Sequence, residues 1–411
     1  MKRNKPLSIL TAVLLLAAML VISAFSARKP HEAAVRQTAA TASQAELSDA
    51  TAPDDVRGVW ITYMELSMAY EADKSEAAFR KKFEAIAADC KAFGFNTLIV
   101  QVRPFCDALY DSKLFPASHI LTGEQGKSPG FDALKIMCAV CRAEQLSLHA
   151  WVNPYRVTAG ETPSSLSANN PFRKNPSLGL ETESGIILDP SNEEARRLIT
   201  DGVKEIVENY DVDGVQFDDY FYPTDIGDAD SAQYQAYLQT VTQENAMDLA
   251  AWRKANVSLL MAETHLAVHR AKPQAVFGIS PQGNLGNNEK LYADVKNWCG
   301  KKGYIDYICP QLYFSTDNPA LPFETALNEW QSLHYAEGVK LYAGLAGYKA
   351  GSDADDGTWQ EQDDILRQEY SILKENKDIS GILLYSYVSL HEEAAKQEMK
   401  ALQEAIQEDD G

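Results

Sequence analysis

A (β/α)8 TIM barrel is the fold this sequence predicts, and three observations lead to it. Short apolar segments alternate eight times with longer helix-patterned ones over about 350 residues, the signature of a parallel sheet with crossover helices. No Gly-rich phosphate-binding fingerprint follows the first segment, which removes the main reason to expect a doubly wound sheet. Aromatic, amide and carboxylate residues gather at the C-terminal ends of the apolar segments, where such barrels carry their chemistry.

The elements run in order. The first strand is expected at Arg57–Tyr63 (RGVWITY), followed by a helix with apolar residues at Phe79, Phe83, Ile86 and Ala87. The second strand is Thr97–Val102 and its helix Phe131–Gln145. The third strand is Ser147–Tyr155; after a long loop, a helix over Asn192–Tyr210 leads into the fourth, Gly214–Asp219. One long helical stretch is expected from about Ser231 to His269 before the fifth strand, Ala275–Ser280. A helix at Lys290–Lys301 precedes Asp306–Phe314, one at Phe323–Tyr335 precedes Lys340–Tyr348, and one at Trp359–Glu375 precedes Gly381–Val388. A last helix covers about His391–Gln407, and no second globular domain is expected.

Composition bounds the function. Lys plus Arg is 38 and Asp plus Glu is 58, a formal net charge of −20 over 411 residues. Nucleic acid and anionic membrane require a basic face, so neither is the expected partner. With 45% hydrophobic and 23% charged residues the chain is ordinary for a globular protein. Six cysteines are too few for a disulfide scaffold. Cys138 and Cys141 form a CxxC, but on an amphipathic helix, so buried thiols are expected in place of redox or zinc chemistry.

The N-terminus has its own logic. Lys2, Arg3 and Lys5 precede an apolar run over 7–25, with Ala24 and Ser26 as small residues near its end. Residues 1–27 are expected to be a secretory signal peptide or an uncleaved membrane anchor, and 28–54 a flexible linker rich in Ala, Thr, Ser and Gln. The domain then occupies 55–411, outside the cytoplasm, secreted or tethered through 7–25.

The strand ends supply the candidate site. Strand one offers Trp60; strand two Gln101 and Arg103, with Asp107 and Asp111 in its loop. Strand three offers Trp151, Asn153, Tyr155 and Arg156, and strand four Gln216, Asp218, Asp219, Tyr220 and Tyr222. Ser280 and Gln282, Gln311 and Tyr313, and Tyr385 and Tyr387 end strands five, six and eight. Stacking aromatics beside amides and carboxylates suit sugar rings. If Phe217 faces the helices, Asp218 faces the barrel mouth. Asp218 is therefore the main catalytic candidate, as nucleophile or as stabiliser of an oxocarbenium-like transition state, with Asp219 or Asp107 supplying the proton. No Asp or Glu stands in FGISPQGN, ICPQLYF, AGLAGYK or LLYSYV, so a second carboxylate across the mouth is missing from those strands.

Other constellations are weaker. His149 shares the parity of Trp151 and Asn153 and is expected to be a hydrogen-bonded interior residue. His265 and His269 are four apart, but no HExxH links them, and they are expected on a solvated helix face. No GxSxG elbow and no Walker loop occur. No metal and no cofactor are expected, since carboxyl groups alone can carry the proton transfers.

The motifs RGVWITY, NTLIVQVRPFCDALYDSKLFP, LTGEQGKSPGFDAL, LHAWVNPYRV, DGVQFDDYFYP and FGISPQGN, in this order, resemble the glycosyl-hydrolase-like 10 family over roughly Asp55–Leu390. The resemblance implies a TIM barrel and a glycosidase acting on a bacterial cell-wall glycan, such as peptidoglycan strands stripped of their peptides. It marks Arg103, Asp107, Asn153, Tyr155, Asp218 and Asp219. Two positions depart from the family pattern: Gln216 stands where many members carry His, and Ala117 where many carry an aromatic. An amide cannot shuttle a proton as imidazole does, so Gln216 is expected to bind and not to catalyse.

The primary reading is an exported glycoside hydrolase of envelope polysaccharide. Arg103, Trp60, Trp151, Asn153, Tyr155, Gln216, Tyr220, Gln282, Gln311, Tyr313 and Tyr385 are its expected substrate-binding residues. A non-catalytic glycan-binding barrel is the alternative, and a lyase or deacetylase stands third.

Overall fold

The computed structural model describes residues 50–409. The signal or anchor segment, 1–27, and most of the expected linker lie outside the described residues. Eight parallel strands close a barrel in chain order: β1 (Val56–Ile61), β2 (Thr97–Arg103), β3 (Ser147–Val152), β4 (Gly214–Phe217), β5 (Val276–Ile279), β6 (Tyr307–Ile308), β7 (Lys340–Ala346) and β8 (Ile379–Tyr385). β1 pairs with both β2 and β8, so no edge is left open. Around them lie α1 (Glu76–Phe93), α2 (Ala133–Glu144), α3 (Glu193–Asn209), α4 (Ser231–Thr240), α5 (Leu249–Ala271), α6 (Val295–Gly300), α7 (Phe323–Gln331), α8 (Ile365–Lys374) and α9 (Lys396–Asp409). The predicted fold class is the one observed.

Two packed layers hold it together. Strand residues such as Val59, Leu98, Val100, Val215 and Phe277 face outward into one large core shared with the helices. Trp60, Ile99, Trp151, Val276, Tyr307, Tyr342 and Leu383 fill the barrel interior. The Tyr307 ring needs room there, and Gly278 on the neighbouring strand supplies it: a Cβ at that position would lie 2.1 Å from the ring. His149 is interior, as its parity predicts, with Nδ1 3.0 Å from the Tyr307 hydroxyl.

Local chemistry sets the helix starts. The side chains of Ser75, Asp132, Asn192 and Asp248 each accept a backbone N–H in the first turn of α1, α2, α3 and α5. Asp248 also explains a correction. The single helix expected over Ser231–His269 is two, because α4 stops at Thr240 and Asp248 starts a new helix after an irregular turn. Tyr237, Met247 and Trp252 bury a small apolar cluster at that corner. The long loop before α3 contains an unexpected antiparallel hairpin, Gly179–Thr182 with Gly185–Leu188.

Two further expectations are corrected. The end of the expected linker is docked: Ala52 joins the interior cluster, the Pro53 carbonyl accepts from Tyr342 Oη at 2.7 Å, and Asp54 pairs with Lys340 at 2.7 Å. His265 and His269 are not on a solvated face; both are buried against Asp306, just ahead of β6. Among the described residues no helix is long and apolar enough to cross a membrane. All six cysteines are unpaired and buried. Burial pushes Cys138 up to about 12 and raises Cys141 further, so the CxxC pair is packing.

Candidate active site

The site is built on the strand β4 terminus. Phe217 ends the strand and turns outward, its ring edge-on to Phe277 at 5.0 Å between centroids. Alternation then turns the next carboxyl group, Asp218, into the mouth. Asp218 Oδ2 accepts from Trp151 Nε1 at 2.9 Å and from Asn153 Nδ2 at 3.2 Å; Oδ1 accepts the Tyr220 N–H at 3.3 Å. Asp219 is held from the other side, by the side-chain amides of Gln282 and of Gln311, the latter at 3.3 Å. Gln311 is itself anchored to the Ser280 carbonyl at 3.1 Å.

The two carboxyl groups are 4% and 8% exposed, and their ionisation is displaced accordingly. Burial pushes Asp218 up to about 7, opposed by the Arg156 guanidinium and reinforced by the Asp219 charge. Burial also raises Asp219, opposed by the amide donors of Gln282 and Gln311. Adjacent carboxyls in a low-dielectric wall do not both ionise readily, so the pair retains a proton near neutral pH.

Two cavities meet at this pair, sharing Asp219, Tyr220 and Gln282. The first, of about 310 Å³, sits over the barrel axis. Trp60 and Trp151 form its floor, and Tyr313, Tyr348 and Tyr385 its rim, with ring centroids 5.7–5.8 Å apart where Tyr385 meets the other two. The second, of about 540 Å³, runs outward between the loops after β3 and β4, the 179–188 hairpin and the segment that ends in Leu291. Arg156 and Lys290 line it. Arg156 stacks 4.1 Å over the Tyr220 ring, and Lys290 Nζ donates to Asn287 Oδ1 at 3.0 Å. Among the described residues neither cation makes an ion pair.

Most of the expected residues come together. Asp218, Asp219, Trp60, Trp151, Asn153, Tyr220, Gln282, Gln311, Tyr313 and Tyr385 all line one cavity or both. Gln216 lies below them, fully buried; it accepts from Trp60 Nε1 at 2.6 Å and donates to Tyr307 Oη at 3.2 Å.

Three expected residues are not brought to the cleft. Arg103 turns into the helix layer, its guanidinium 4.5 Å over the Phe115 ring and against Gly202 of α3. Tyr155 is fully buried among the groups of the same layer, near Arg196 and Glu263. Asp107 is fully buried too, its Oδ2 3.0 Å from His119 Nδ1 and accepting Gln125 Nε2 at 3.0 Å. A residue at a strand end faces the mouth or the helices by parity, and a loop carboxylate turns to whatever donors the loop folds over it.

Sequence reasoning missed four neighbours. Tyr348 lines the inner cavity, and its place at the end of the seventh strand was a usable signal. Arg156 was visible at the third strand end but had no assigned role. Lys290 had no local signal. Glu65, in the loop after β1, accepts the Thr62 N–H at 2.6 Å, Ser386 Oγ at 3.2 Å and the Val388 N–H at 3.1 Å, which ties the first and last strand ends together.

The chain is similar to several known proteins. A profile of the glycosyl hydrolase-like 10 family matches residues 55–361. Glycosyl hydrolase YngK of Bacillus subtilis (strain 168) is 34% identical over 344 residues, which cover 78% of this chain and 66% of that relative, just under two thirds. Glycosyl hydrolase DigH of Escherichia coli (strain K12) is 28% identical over 438 aligned positions, 98% of each chain. Among solved structures, the PgaB (BpsB) glycoside hydrolase domain from Bordetella bronchiseptica superposes with a TM-score of 0.55 at 13% identity, over 86% of this chain and 99% of that domain. An Anoxybacillus α-amylase gives 0.51 at 12% identity, over 86% and 78%; both share the barrel fold. The chain belongs to the glycosyl hydrolase-like 10 family, and its described residues form the (β/α)8 barrel on which the site is built.

Proposed function

We propose that the protein hydrolyses glycosidic bonds in a bacterial envelope polysaccharide, with peptide-free peptidoglycan strands as the substrate. The observation that carries this reading is the Asp218–Asp219 pair at the junction of an aromatic-walled cavity and a longer polar groove. Asp218, whose carboxyl keeps its proton to about pH 7, donates that proton to the glycosidic oxygen as the C1–O bond breaks. This reverses the assignment that parity alone suggested, with Asp218 as acid and Asp219 as the charged partner. Asp219, oriented by Gln282 and Gln311, faces the positive charge that develops at the sugar ring, and a water then adds to C1 and returns its proton to Asp218.

The substrate class draws support from charge. In a chain of net charge −20, Arg156 and Lys290 line the groove without a direct ion pair among the described residues, although Arg156 also acts on the Asp218 carboxyl. Neutral hexoses do not require them; a sugar carrying a carboxylate, as muramic acid does, fits them. Export belongs to the same proposal and rests on the basic residues and apolar run of the first 25 positions.

The test is digestion of purified peptide-free wall glycan followed by mass spectrometry. New reducing ends that vanish in Asp218→Asn are the expected result. Retained binding with no cleavage by the unaltered protein would replace the hydrolase with a glycan-binding barrel.

A further inference from the structure

Three metal-competent side chains meet at the end of the barrel opposite the cleft. His265 and His269 are one helical turn apart in the C-terminal half of α5, so their rings share a face, with centroids 4.3 Å apart. Asp306, immediately before β6, reaches both: Oδ1 is 3.2 Å from His265 Nε2, and Oδ2 is 2.9 Å from His269 Nε2. All three residues are buried, and their donor atoms lie within 4.8 Å of one another.

We propose that His265, His269 and Asp306 form a zinc site that staples α5 to the start of β6. Bonds of 2.0–2.1 Å to imidazole and carboxylate around tetrahedral zinc place neighbouring ligand atoms roughly 3.3 Å apart. Asp306 Oδ1 lies 3.2 Å from His265 Nε2 and 3.1 Å from His269 Nε2, so one carboxylate oxygen is close to that edge length from both imidazoles before any ion enters. The surrounding groups also suit a metal. The Phe277 N–H donates to Asp306 Oδ2 at 2.6 Å and fixes the carboxylate. Two nitrogens and one carboxylate exclude calcium and magnesium, which demand six or more oxygens, and suit a first-row transition ion, of which zinc is the one that takes three such ligands tetrahedrally.

The three protein ligands leave one tetrahedral position to a water molecule, and the place of the site makes its role structural. None of its three residues lines a cavity of the cleft, and the N-terminal face of such barrels serves stability. The inference does not depend on the substrate or on the roles of Asp218 and Asp219.

The full chain, stripped with chelator, is titrated with zinc chloride by calorimetry and its metal content is measured by mass spectrometry. One zinc per chain is expected, with a higher thermal midpoint, and at least 100-fold weaker binding in His269→Gln and in Asp306→Asn. Cobalt(II) in the unaltered protein is expected to give the intense visible bands of tetrahedral ligation, a readout that survives if either variant fails to fold. Absence of stoichiometric zinc in the folded, stripped protein overturns the proposal. So does unchanged zinc binding in a folded His265→Gln, His269→Gln double variant.

Discussion

Trp151 Nε1 donates to Asp218 Oδ2 at 2.9 Å, so the floor of the sugar cavity and the proposed acid are one rigid unit. The indole cannot shift without moving the carboxyl group, and the carboxyl group is oriented before any substrate arrives. Asp218→Asn keeps an acceptor for that indole and removes the proton. Hydrolysis of wall glycan is expected to fall by 10²–10⁴ while glycan binding is retained. Reducing-end release and a binding isotherm on the same preparation check both halves.

The same substitution carries a stability signature. The folded carboxyl titrates near 7, above its ordinary value of 3.8, so the fold binds this proton more tightly than the unfolded chain does. Stability from this group is therefore full below about pH 4 and is lost as pH rises toward 7 and beyond. At 1.36 kcal/mol per pH unit the loss is on the order of 4 kcal/mol at most. Asp218→Asn is expected to raise the denaturation midpoint at pH 8 and to change it little at pH 4, as urea unfolding at the two pH values reports.

The rate profile follows from the pair. Activity requires Asp218 protonated and Asp219 charged, which gives a bell. The alkaline limb is expected near pH 7, and the acid limb above the usual carboxylate range because burial raises Asp219 as well. Gln282→Leu removes one donor that holds Asp219 charged, so the acid limb is expected to move to higher pH in kcat/KM measurements.

The outer groove reads charge. Arg156→Ala and Lys290→Ala are each expected to raise KM about tenfold or more on carboxylate-bearing glycan, the worth of one charge-assisted hydrogen bond. On a neutral β-linked glycan of the same length KM is expected to stay within twofold. Equal losses on both polymers would remove the carboxylate from the substrate assignment.

Gln216 shows what the departure from histidine does. Its amide joins Trp60 to Tyr307 inside the barrel, with no opening to solvent. Gln216→Leu leaves the Trp60 indole N–H without its acceptor, a cost of about 1–3 kcal/mol. A lower thermal midpoint and a higher KM are expected, with the pH profile unmoved, since no proton passes through this position.

How much of this was legible in the sequence depends on which rule each residue obeys. The barrel was legible because alternation of strands and helices leaves few topologies. Asp218 was legible because Phe217 beside it has one apolar destination. Arg103 and Tyr155 were misplaced because strand-end parity is lost where the second strand's pairing to the third is irregular, between Gln101 and Arg103, and where the third strand ends three residues earlier than expected. Asp107 was not legible at all: its partners His119 and Gln125 come from a loop whose path no local pattern encodes. Lys290 reaches the groove from a segment read as the start of a helix, which α6 begins only at Val295. The His265–His269–Asp306 cluster needed contact across about 40 residues, beyond the reach of helical spacing.

The hairpin at 179–188 is anchored by Leu180, Ile187 and Leu188, which are buried in the core shared with the helices, and by hydrogen bonds at its outer end. Ile186 and Leu188 bond the chain just past β3, and Ser184 bonds Asp225 on the loop past β4 through both its N–H, at 2.7 Å, and its hydroxyl, at 3.0 Å. It contributes Ser184, Gly185 and Ile187 to the groove wall and nothing to the carboxylate pair. Grip and chemistry thus sit on separable parts of the chain: a different turn spliced between Leu180 and Ile187 would change which polymer the groove holds and leave both the buried anchors and the bond-breaking machinery as they are.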